Sequence, residues 1–272
     1  YSRATLERHA KAYTESFNSM DGLVCFSVKA LSNISILKVL KQCGCGFDIV
    51  SGGELHRALL AGADPQKIIF SGVGKSKAEM TAGIKSNILS FNIESESELM
   101  ALEEVAKELN AMAPVAIRFN PGVDAGGHEF TKTGRKSDKF GVSINETMRL
   151  TDRCIKSNNL NIIGLTCHIG SQISELEKFK EAAAQSLRLL LDVEKLGAEL
   201  NFIDMGGGLG VTYVDEKTIQ PHELIKCYEE IFQGRPERLI VEPGRSISAN
   251  AGILLTKVEY KKNNFLITDA AM

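Results

Sequence analysis

The feature of this sequence that most constrains its fold is a regular alternation between short apolar runs and longer helical patterns. The apolar runs lie at 23–28, 47–50, 67–70, 88–92, 114–119, 161–167, 200–204 and 238–241. The helical patterns lie at 3–17, 33–42, 53–61, 76–85, 96–109, 145–157, 174–196 and 221–232. Such alternation predicts an α/β protein with parallel strands joined by helices. Eight strands favour closure into a (β/α)8 TIM barrel over an open, doubly wound sheet.

The composition is that of a globular protein with almost no net charge. The 272 residues include 32 Lys and Arg against 34 Asp and Glu, a net charge of -2. This balance argues against nucleic acid and anionic membranes as partners, and no apolar stretch reaches the roughly 20 residues of a membrane span. The six cysteines include no CxxC pair, because one residue separates Cys43 from Cys45. We therefore expect free thiols and a cytoplasmic protein.

Two segments break the alternation. Residues 120–141 form a long polar insertion after the fifth strand, and a loop of that length in a compact domain is usually functional. Near the end of the chain, 252–260 and 264–268 are predicted strands of a separate β region. We expect a barrel over 1–250 and, over 251–272, the start of a C-terminal β domain that is largely absent from this chain.

The predicted strand ends carry the chemically capable residues. In a (β/α)8 barrel the active site lies at the carboxyl ends of the strands. In chain order those ends carry Lys29, Asp48 to Glu54, Ser71 and Gly72, Asn92, Arg118, His168 to Ser171, Gly206 to Gly208, and Glu242 to Arg245. Their convergence on one rim predicts a single polar site. Lys29 is its candidate nucleophile, because a deprotonated lysine forms Schiff bases with carbonyl compounds.

Glycine-rich loops follow the seventh and eighth strands. Either loop alone is consistent with a tight turn, but together at these two strands they predict a phosphate site, where bare backbone N–H groups can approach an anion. Two nucleotide-binding motifs fail. Val211 stands where a Rossmann fingerprint needs its third glycine, and Ile69 stands where a P-loop needs its first.

The other candidates each have a structural alternative. His168 ends an apolar strand and could be a core histidine, although a flat ring beside a flat cofactor fits the same rim. Glu242 could form an ion pair with Arg245, or it could hold a pyridine nitrogen protonated. Arg118 and Arg245 could be surface ion pairs or clamps for carboxylate or phosphate groups. No cluster with metal-ligand spacing surrounds His168, so no metal site is predicted.

These residues, in this order, resemble the fold-type III decarboxylases that depend on pyridoxal 5'-phosphate (PLP), the ornithine, diaminopimelate and arginine decarboxylase family. The likeness rests on five ordered motifs at 26–30, 47–55, 168–172, 204–208 and 242–245. Leu31 stands where many members have asparagine. The resemblance covers essentially the whole chain. It implies a barrel of the alanine racemase-like type with PLP as its cofactor.

The resemblance also implies roles for individual residues. Lys29, His168 and Glu242 are the implied catalytic residues: Lys29 attaches the cofactor, His168 stacks on its ring and Glu242 pairs with the ring nitrogen. The implied cofactor-binding residues are Lys29, Asp48, Glu54, His168, Ser171, Gly207, Gly208, Glu242, Pro243, Gly244 and Arg245. Arg118 and Arg245 are the candidates for binding substrate.

Within the family, the insertion is similar to that of the diaminopimelate decarboxylases. This likeness rests on 120–125, His128, 133–134 and 139–141. It implies decarboxylation of meso-2,6-diaminopimelate to L-lysine, in lysine biosynthesis. An ornithine- or arginine-type decarboxylase and a non-catalytic PLP-binding homologue remain alternatives. Glu242 argues against racemisation, because alanine racemases typically place an arginine against the pyridine nitrogen.

Family members continue into a C-terminal β domain that supplies a cysteine and a tyrosine to the site, partly across a dimer interface. The resemblance therefore implies a small amino-acid substrate and a homodimer for the full-length protein. This chain, in which neither residue has a visible candidate, is expected to be an incomplete fragment. We expect it to associate through exposed apolar surface.

Overall fold

The computed structural model describes residues 1–123 and 140–270, which form a closed barrel of eight parallel strands followed by a hairpin. The barrel strands are β1 (Gly22–Ser27), β2 (Gly46–Ile49), β3 (Ile68–Phe70), β4 (Ser90–Ile93), β5 (Ala113–Arg118), β6 (Leu160–Thr166), β7 (Phe202–Asp204) and β8 (Arg238–Val241). Each strand pairs with the next in sequence, and β8 returns to pair with β1, with Ile240 opposite Leu23. The predicted TIM barrel is confirmed.

Helices connect the strands on the outside of the barrel. They are α1 (Arg3–Thr14), α2 (Ile34–Gln42), α3 (Gly52–Leu60), α4 (Lys77–Lys85), α5 (Glu96–Glu108), α6 (Ile144–Lys156), α7 (Leu176–Lys195), α8 (Pro221–Ile231) and α9 (Arg245–Ser248). In the described part of the chain, no helix is both long and apolar enough to span a membrane.

Four of these helices begin at a serine N-cap in the loop that follows a strand. Ser51, Ser76, Ser95 and Ser143 each accept a hydrogen bond from the backbone N–H of the glutamate three residues later. Such a cap stabilises a helix start by about 1 kcal/mol, because it satisfies an N–H that has no partner inside the helix. The Ser-x-x-Glu pattern thus fixes where the chain turns from the barrel rim into the outer layer.

The barrel interior changes from apolar to polar toward the carboxyl ends of the strands. Residues of one strand that face the same side are two positions apart. The lower, apolar layer consists of Leu23, Cys25, Ile69, Ala116, Ile163, Phe202 and Ile240. Two positions beyond five of these residues stand Ser27, Ser71, Arg118, Asp204 and Glu242. The strand register therefore gathers polar side chains into one layer above a dry core.

Several predicted boundaries differ from the structure. The predicted strand 23–28 ends at Ser27, because Val28–Ala30 form a short 3-10 turn that presents Lys29 at the rim. A helix predicted over 3–17 ends at Thr14, and α9 was not predicted.

The prediction of a strand over 252–260 is wrong for its first half. Only Val258–Lys262 (β9) is a strand, and it pairs with Phe265–Thr268 (β10) in an antiparallel hairpin. Residues 252–257 have no partner strand, and an apolar run without a ladder partner does not become a strand. The division into domains at 250 stays a prediction.

Candidate active site

A cavity of about 390 Å³ opens at the carboxyl ends of the strands, where the sequence predicted the site. Its lining includes Ser27, Lys29, His168, Ser171, Gly208, Glu242, Gly244 and Arg245. A neighbouring cavity of about 180 Å³ shares Lys29, His168 and Glu242 with the first and adds Arg118 and Phe140. The three predicted catalytic side chains thus lie together, between two connected spaces.

Lys29 is held by a buried acid at the centre of the site. Its Nζ lies 2.8 Å from Asp48 Oδ2, and the Ser27 hydroxyl donates to the same oxygen over 2.9 Å. Burial opposes the charge of Lys29, but the carboxylates of Asp48 and Glu242 outweigh it and raise the lysine pKa. Asp48 is fully buried, which opposes its charge, but the attraction of Lys29 together with hydrogen bonds from Lys29, Ser71 and Ser27 lowers its pKa. In this state Lys29 is a positioned ammonium ion.

His168 is neutral and its tautomer is set by the backbone. The Gly207 N–H donates to His168 Nδ1 over 3.2 Å, which places the ring proton on Nε2. Burial, together with the nearby cations Arg118 and Lys29, lowers the histidine pKa to about 3. A neutral ring of fixed orientation is suited to stacking on a flat ligand.

Glu242 sits among buried acids. Its side chain is 7% exposed, and burial together with Asp204 and Asp48 raises its pKa well above the ordinary value. Asp204 is fully buried, and burial raises its pKa to about 6. Asp204 accepts a hydrogen bond from the Gly206 N–H over 2.8 Å. Burial and the neighbouring acids thus favour the protonated form of Glu242.

The loops after β7 and β8 require glycine at three positions, because a side chain there would collide with neighbouring protein atoms. A Cβ at Gly207 would lie 2.2 Å from the Glu242 carbonyl oxygen, and one at Gly208 would lie 2.4 Å from the Gly170 carbonyl oxygen. Gly208 also has a φ of +107°, which side chains rarely adopt. A Cβ at Gly244 would lie 3.0 Å from that of Ser27. Only glycine lets these backbones approach one another and the cavity.

Arg245 stands at the edge of this cradle. Its Nη1 donates to the Tyr213 hydroxyl over 2.9 Å, which orients the guanidinium from the loop after β7. Pro243 contributes through its backbone, because its carbonyl accepts the Ser27 N–H over 3.1 Å and so joins the β8 loop to β1.

Arg118 is fixed by a buried network on the opposite side of the site. Its Nη1 lies 3.0 Å from Glu94 Oε1, and its guanidinium lies 4.9 Å from the centre of the Phe140 ring. Glu94 also accepts the backbone N–H groups of Gly72, over 3.1 Å, and Gly141, over 3.2 Å. One buried carboxylate thus joins the loops after β3, β4 and β5.

A second buried ion pair, between Lys75 and Glu98, is hydrogen bonded to this network. Lys75 is fully buried and donates to Glu98 over 2.5 Å and to the carbonyl oxygens of Gly72 and Asn92 over 2.7 Å each. Glu98 in turn accepts the Glu94 N–H over 2.8 Å. All three donors of the ammonium are used, so Lys75 is a structural group and not a second nucleophile.

Four predicted residues, Asp48, Glu54, Gly207 and Pro243, line neither cavity, and some important residues were missed. Glu54 accepts the Val50 N–H over 2.7 Å and so closes the turn between β2 and α3. Residues 124–139, with the predicted contacts at His128 and Lys139, lie outside the described residues. The network residues Glu94 and Glu98 were not singled out from the sequence. Glu94 could have been found, because it directly follows β4, whose end was predicted one residue early.

The fold and the site indicate a class of protein, a (β/α)8 barrel in which a lysine, a histidine and a carboxyl group share one cavity with glycine-rich loops. The sequence model described as "Pyridoxal-dependent decarboxylase, pyridoxal binding domain" matches residues 3–249. The chain belongs to this family of pyridoxal-dependent decarboxylases.

Individual relatives refine this class. The chain is 46% identical to a diaminopimelate decarboxylase of Haemophilus influenzae, over all of this chain and 67% of the relative. It is also 46% identical to a diaminopimelate decarboxylase of Pseudomonas aeruginosa, over all of this chain and 66% of the relative. Among solved structures, diaminopimelate decarboxylase from Helicobacter pylori complexed with L-lysine superposes with a TM-score of 0.95 at 40% identity, over 99% of this chain and 69% of that one. The chain thus spans about two thirds of these relatives. The predicted family, enzyme class, cofactor and likeness to diaminopimelate decarboxylases are confirmed.

The residues present fit PLP. Gly208 and Gly244, where a Cβ would collide with neighbouring protein atoms, bring bare backbone to the wall of the cavity that Lys29 also lines, and such a wall suits a phosphate group. His168 provides a flat neutral ring, and Glu242 provides a carboxyl group at the wall shared by the two cavities. Donors, ring and carboxyl group are the parts needed to hold a phosphorylated pyridine aldehyde.

Proposed function

We propose that this chain is the cofactor-binding barrel of an enzyme that decarboxylates meso-2,6-diaminopimelate to L-lysine with PLP. The observation that carries the proposal is the position of Lys29, held against Asp48 in the same cavity as His168, Glu242 and the glycine cradle. The relatives and the solved structure complexed with L-lysine support the choice of substrate.

The anion cradle would hold the phosphate of the cofactor. Ser171, Gly208, Gly244 and Arg245 line the space, in which backbone N–H groups of the two glycine loops would meet the phosphate, whereas the Gly207 N–H already donates to His168. Such N–H groups bind phosphate without the desolvation cost of burying further charged side chains. Asp48 and Glu54 would act indirectly, Asp48 through Lys29 and Glu54 through the β2–α3 turn.

Lys29 must lose a proton before its amine can attack an aldehyde. Asp48, which accepts a hydrogen bond from Lys29, holds the amine in place and is the carboxylate positioned beside the proton that the amine must lose. Arg118 would bind the substrate from the smaller cavity, and Arg245 from the edge of the cradle.

The chemistry that PLP supplies when bound is an electron sink for the electron pair left by the departing carbon dioxide. His168 would exclude water from one face of the ring and hold it flat. Glu242 would hold a proton at the ring nitrogen, which strengthens the sink. In the whole protein we also propose a homodimer and a cytoplasmic location, as the family resemblance implies.

Borohydride reduction in the presence of PLP, followed by peptide mass mapping, tests the nucleophile. A pyridoxyl adduct is expected on Lys29 and should vanish in Lys29→Arg. Lys41→Arg, an exposed change on α2, is the matched control and should leave the adduct in place. An adduct spread over surface lysines would contradict the proposal.

Substrate choice is tested with the protein at its natural length. We expect kcat/KM for meso-diaminopimelate to exceed that for ornithine and for arginine by about 100-fold or more, since a site built for a second polar group rejects substrates that lack it. A higher value for ornithine or arginine would move the assignment to that branch of the family. Bound PLP without turnover of any of the three would favour a non-catalytic homologue.

A further inference from the structure

Two buried carboxyl groups face each other at the floor of the site. Asp204 ends β7 and Glu242 follows β8, and the two strands are paired with Asp204 opposite Ile240. Asp204 is fully buried and Glu242 is 7% exposed. Among the described residues, neither Asp204 Oδ2 nor Glu242 Oε1 receives a hydrogen bond from a donor group.

The two acids nevertheless lie within hydrogen-bonding reach of each other. Two carboxyl groups can be hydrogen bonded only if one of them carries a proton. Two buried carboxylates side by side would also repel strongly in a medium of low dielectric constant. A single shared proton therefore resolves both the missing hydrogen bond and the repulsion.

We propose that Asp204 is a positioning residue that keeps a proton on Glu242. Asp204 is the member of the pair that stays ionised, because the Gly206 N–H donates to it over 2.8 Å. Its negative charge makes Glu242 more basic. This proposal rests on the proposed function, in which the proton on Glu242 is shared with the ring nitrogen of the cofactor as an O–H···N or N–H···O hydrogen bond.

The neighbouring groups allow the pair to titrate alone near neutral pH. The groups that face it are Asp48, Lys29, Arg118, His168, Cys25, Cys167 and Tyr228. Lys29 and Asp48 form an ion pair, and His168 is neutral above a pKa of about 3. Burial raises the pKa of both thiols and of the tyrosine, that of Cys167 to about 12, so these groups stay neutral.

Asp204→Asn is the variant that isolates the charge. Asparagine keeps the oxygen that accepts the Gly206 N–H, so the turn is preserved, while the negative charge is lost and an amide donor is gained. Both changes favour ionised Glu242. We expect its midpoint of protonation to fall by about one pH unit or more.

The first measurement is nitrogen-15 NMR of the full-length holoenzyme loaded with PLP labelled at the ring nitrogen. The wild-type nitrogen is expected to stay protonated through neutral pH, and in Asp204→Asn it should lose the proton at a pH at least about one unit lower. An unchanged midpoint in Asp204→Asn would overturn the proposal. A purely structural role would alter the affinity for PLP without moving this midpoint.

The second measurement is infrared absorption of protonated carboxyl groups in the full-length protein without cofactor. The wild type should keep one such band at pH 7, and Glu242→Gln should remove it. Asp152→Asn, a change at a half-buried position on α6, is the control and should leave the band unchanged. Absence of the band in the wild type would refute the shared proton, even if Asp204→Asn fails to fold.

The two measurements separate the two proposals. If the protein binds no PLP but keeps the carboxyl band, the proposed function fails and the shared proton stands. If PLP binds at Lys29 but the band is absent, the proposed function stands and the role of Asp204 fails.

Discussion

The two sides of the barrel rim differ in composition: one consists of closely packed glycine backbone and the other of buried charged side chains. On the glycine side, the loops after β7 and β8 contain Gly207, Gly208 and Gly244, whose close backbones leave no room for side chains, and Gly208 and Gly244 line the cavity. On the charged side, formed by the loops after β3, β4 and β5, buried side chains of Lys75, Glu94, Glu98 and Arg118 satisfy one another.

This difference in composition indicates which side of the rim can bind a ligand. On the charged side, Lys75, Glu94 and Glu98 use their hydrogen bonds on one another and on loop backbones, which holds the loops rigid and positions Arg118 for its proposed contact with substrate. The glycine side keeps backbone groups at the cavity wall that a ligand can reach. Substitutions on the charged side should therefore lower the free energy of unfolding, whereas those on the glycine side should mainly weaken cofactor binding.

The largest effect is expected from Lys75→Met. The change leaves the Glu98 carboxylate and two carbonyl oxygens buried without their donor, which should cost about 3–5 kcal/mol in the free energy of unfolding. Denaturant titration measures this loss. The double variant Lys75→Met/Glu98→Gln should recover a substantial part, because it removes the unpaired charge. A full loss in the double variant would show that packing, not charge, makes Lys75 important.

Gly207→Ala should have the next largest effect. Its Cβ would lie 2.2 Å from the Glu242 carbonyl oxygen, so the loop must shift and the donor to His168 moves with it. We expect PLP to bind about 100-fold more weakly, or about 2.7 kcal/mol, by fluorescence titration. Gly74→Ala is the matched control, since a Cβ there meets no atom within 4 Å. Equal affinities in the two variants would contradict the cradle.

Glu94→Gln tests the link between the two sides. The amide keeps one acceptor oxygen but loses the charge that holds Arg118, so we expect a loss of about 1–3 kcal/mol in the free energy of unfolding. Affinity for PLP should change less than in Gly207→Ala. A larger effect on PLP affinity than on stability would show that Arg118 belongs functionally to the glycine side.

Tyr213→Phe should have the smallest effect. It removes the hydroxyl that accepts from Arg245, in a loop where Tyr213 is 58% exposed. A single exposed hydrogen bond contributes about 1 kcal/mol or less, so PLP affinity should fall about fivefold or less, with thermal stability unchanged. A loss as large as that of Gly207→Ala would mean that Arg245 depends on this one contact.

Prediction from the sequence succeeded where the signal was local. The alternation predicted eight strands in the right places, and the helices predicted over 53–61 and 76–85 are confirmed as Gly52–Leu60 and Lys77–Lys85. It failed for 252–257, where the apolar run looked like a strand but has no partner. It also missed Glu94, whose importance depends on Gly72, Gly141 and Arg118 from neighbouring loops.

The sequence by itself determined the barrel and the set of reactive side chains on its rim, because strand periodicity and helix caps depend only on near neighbours in the chain. Only the tertiary structure decided how those side chains pair. Lys29 meets Asp48, and Glu242 meets Asp204, because the register of β1 with β2 and of β7 with β8 brings residues from different strands to one level. Their pKa values follow from that pairing and from burial, since a charge in the interior is governed by what closure of the barrel places beside it.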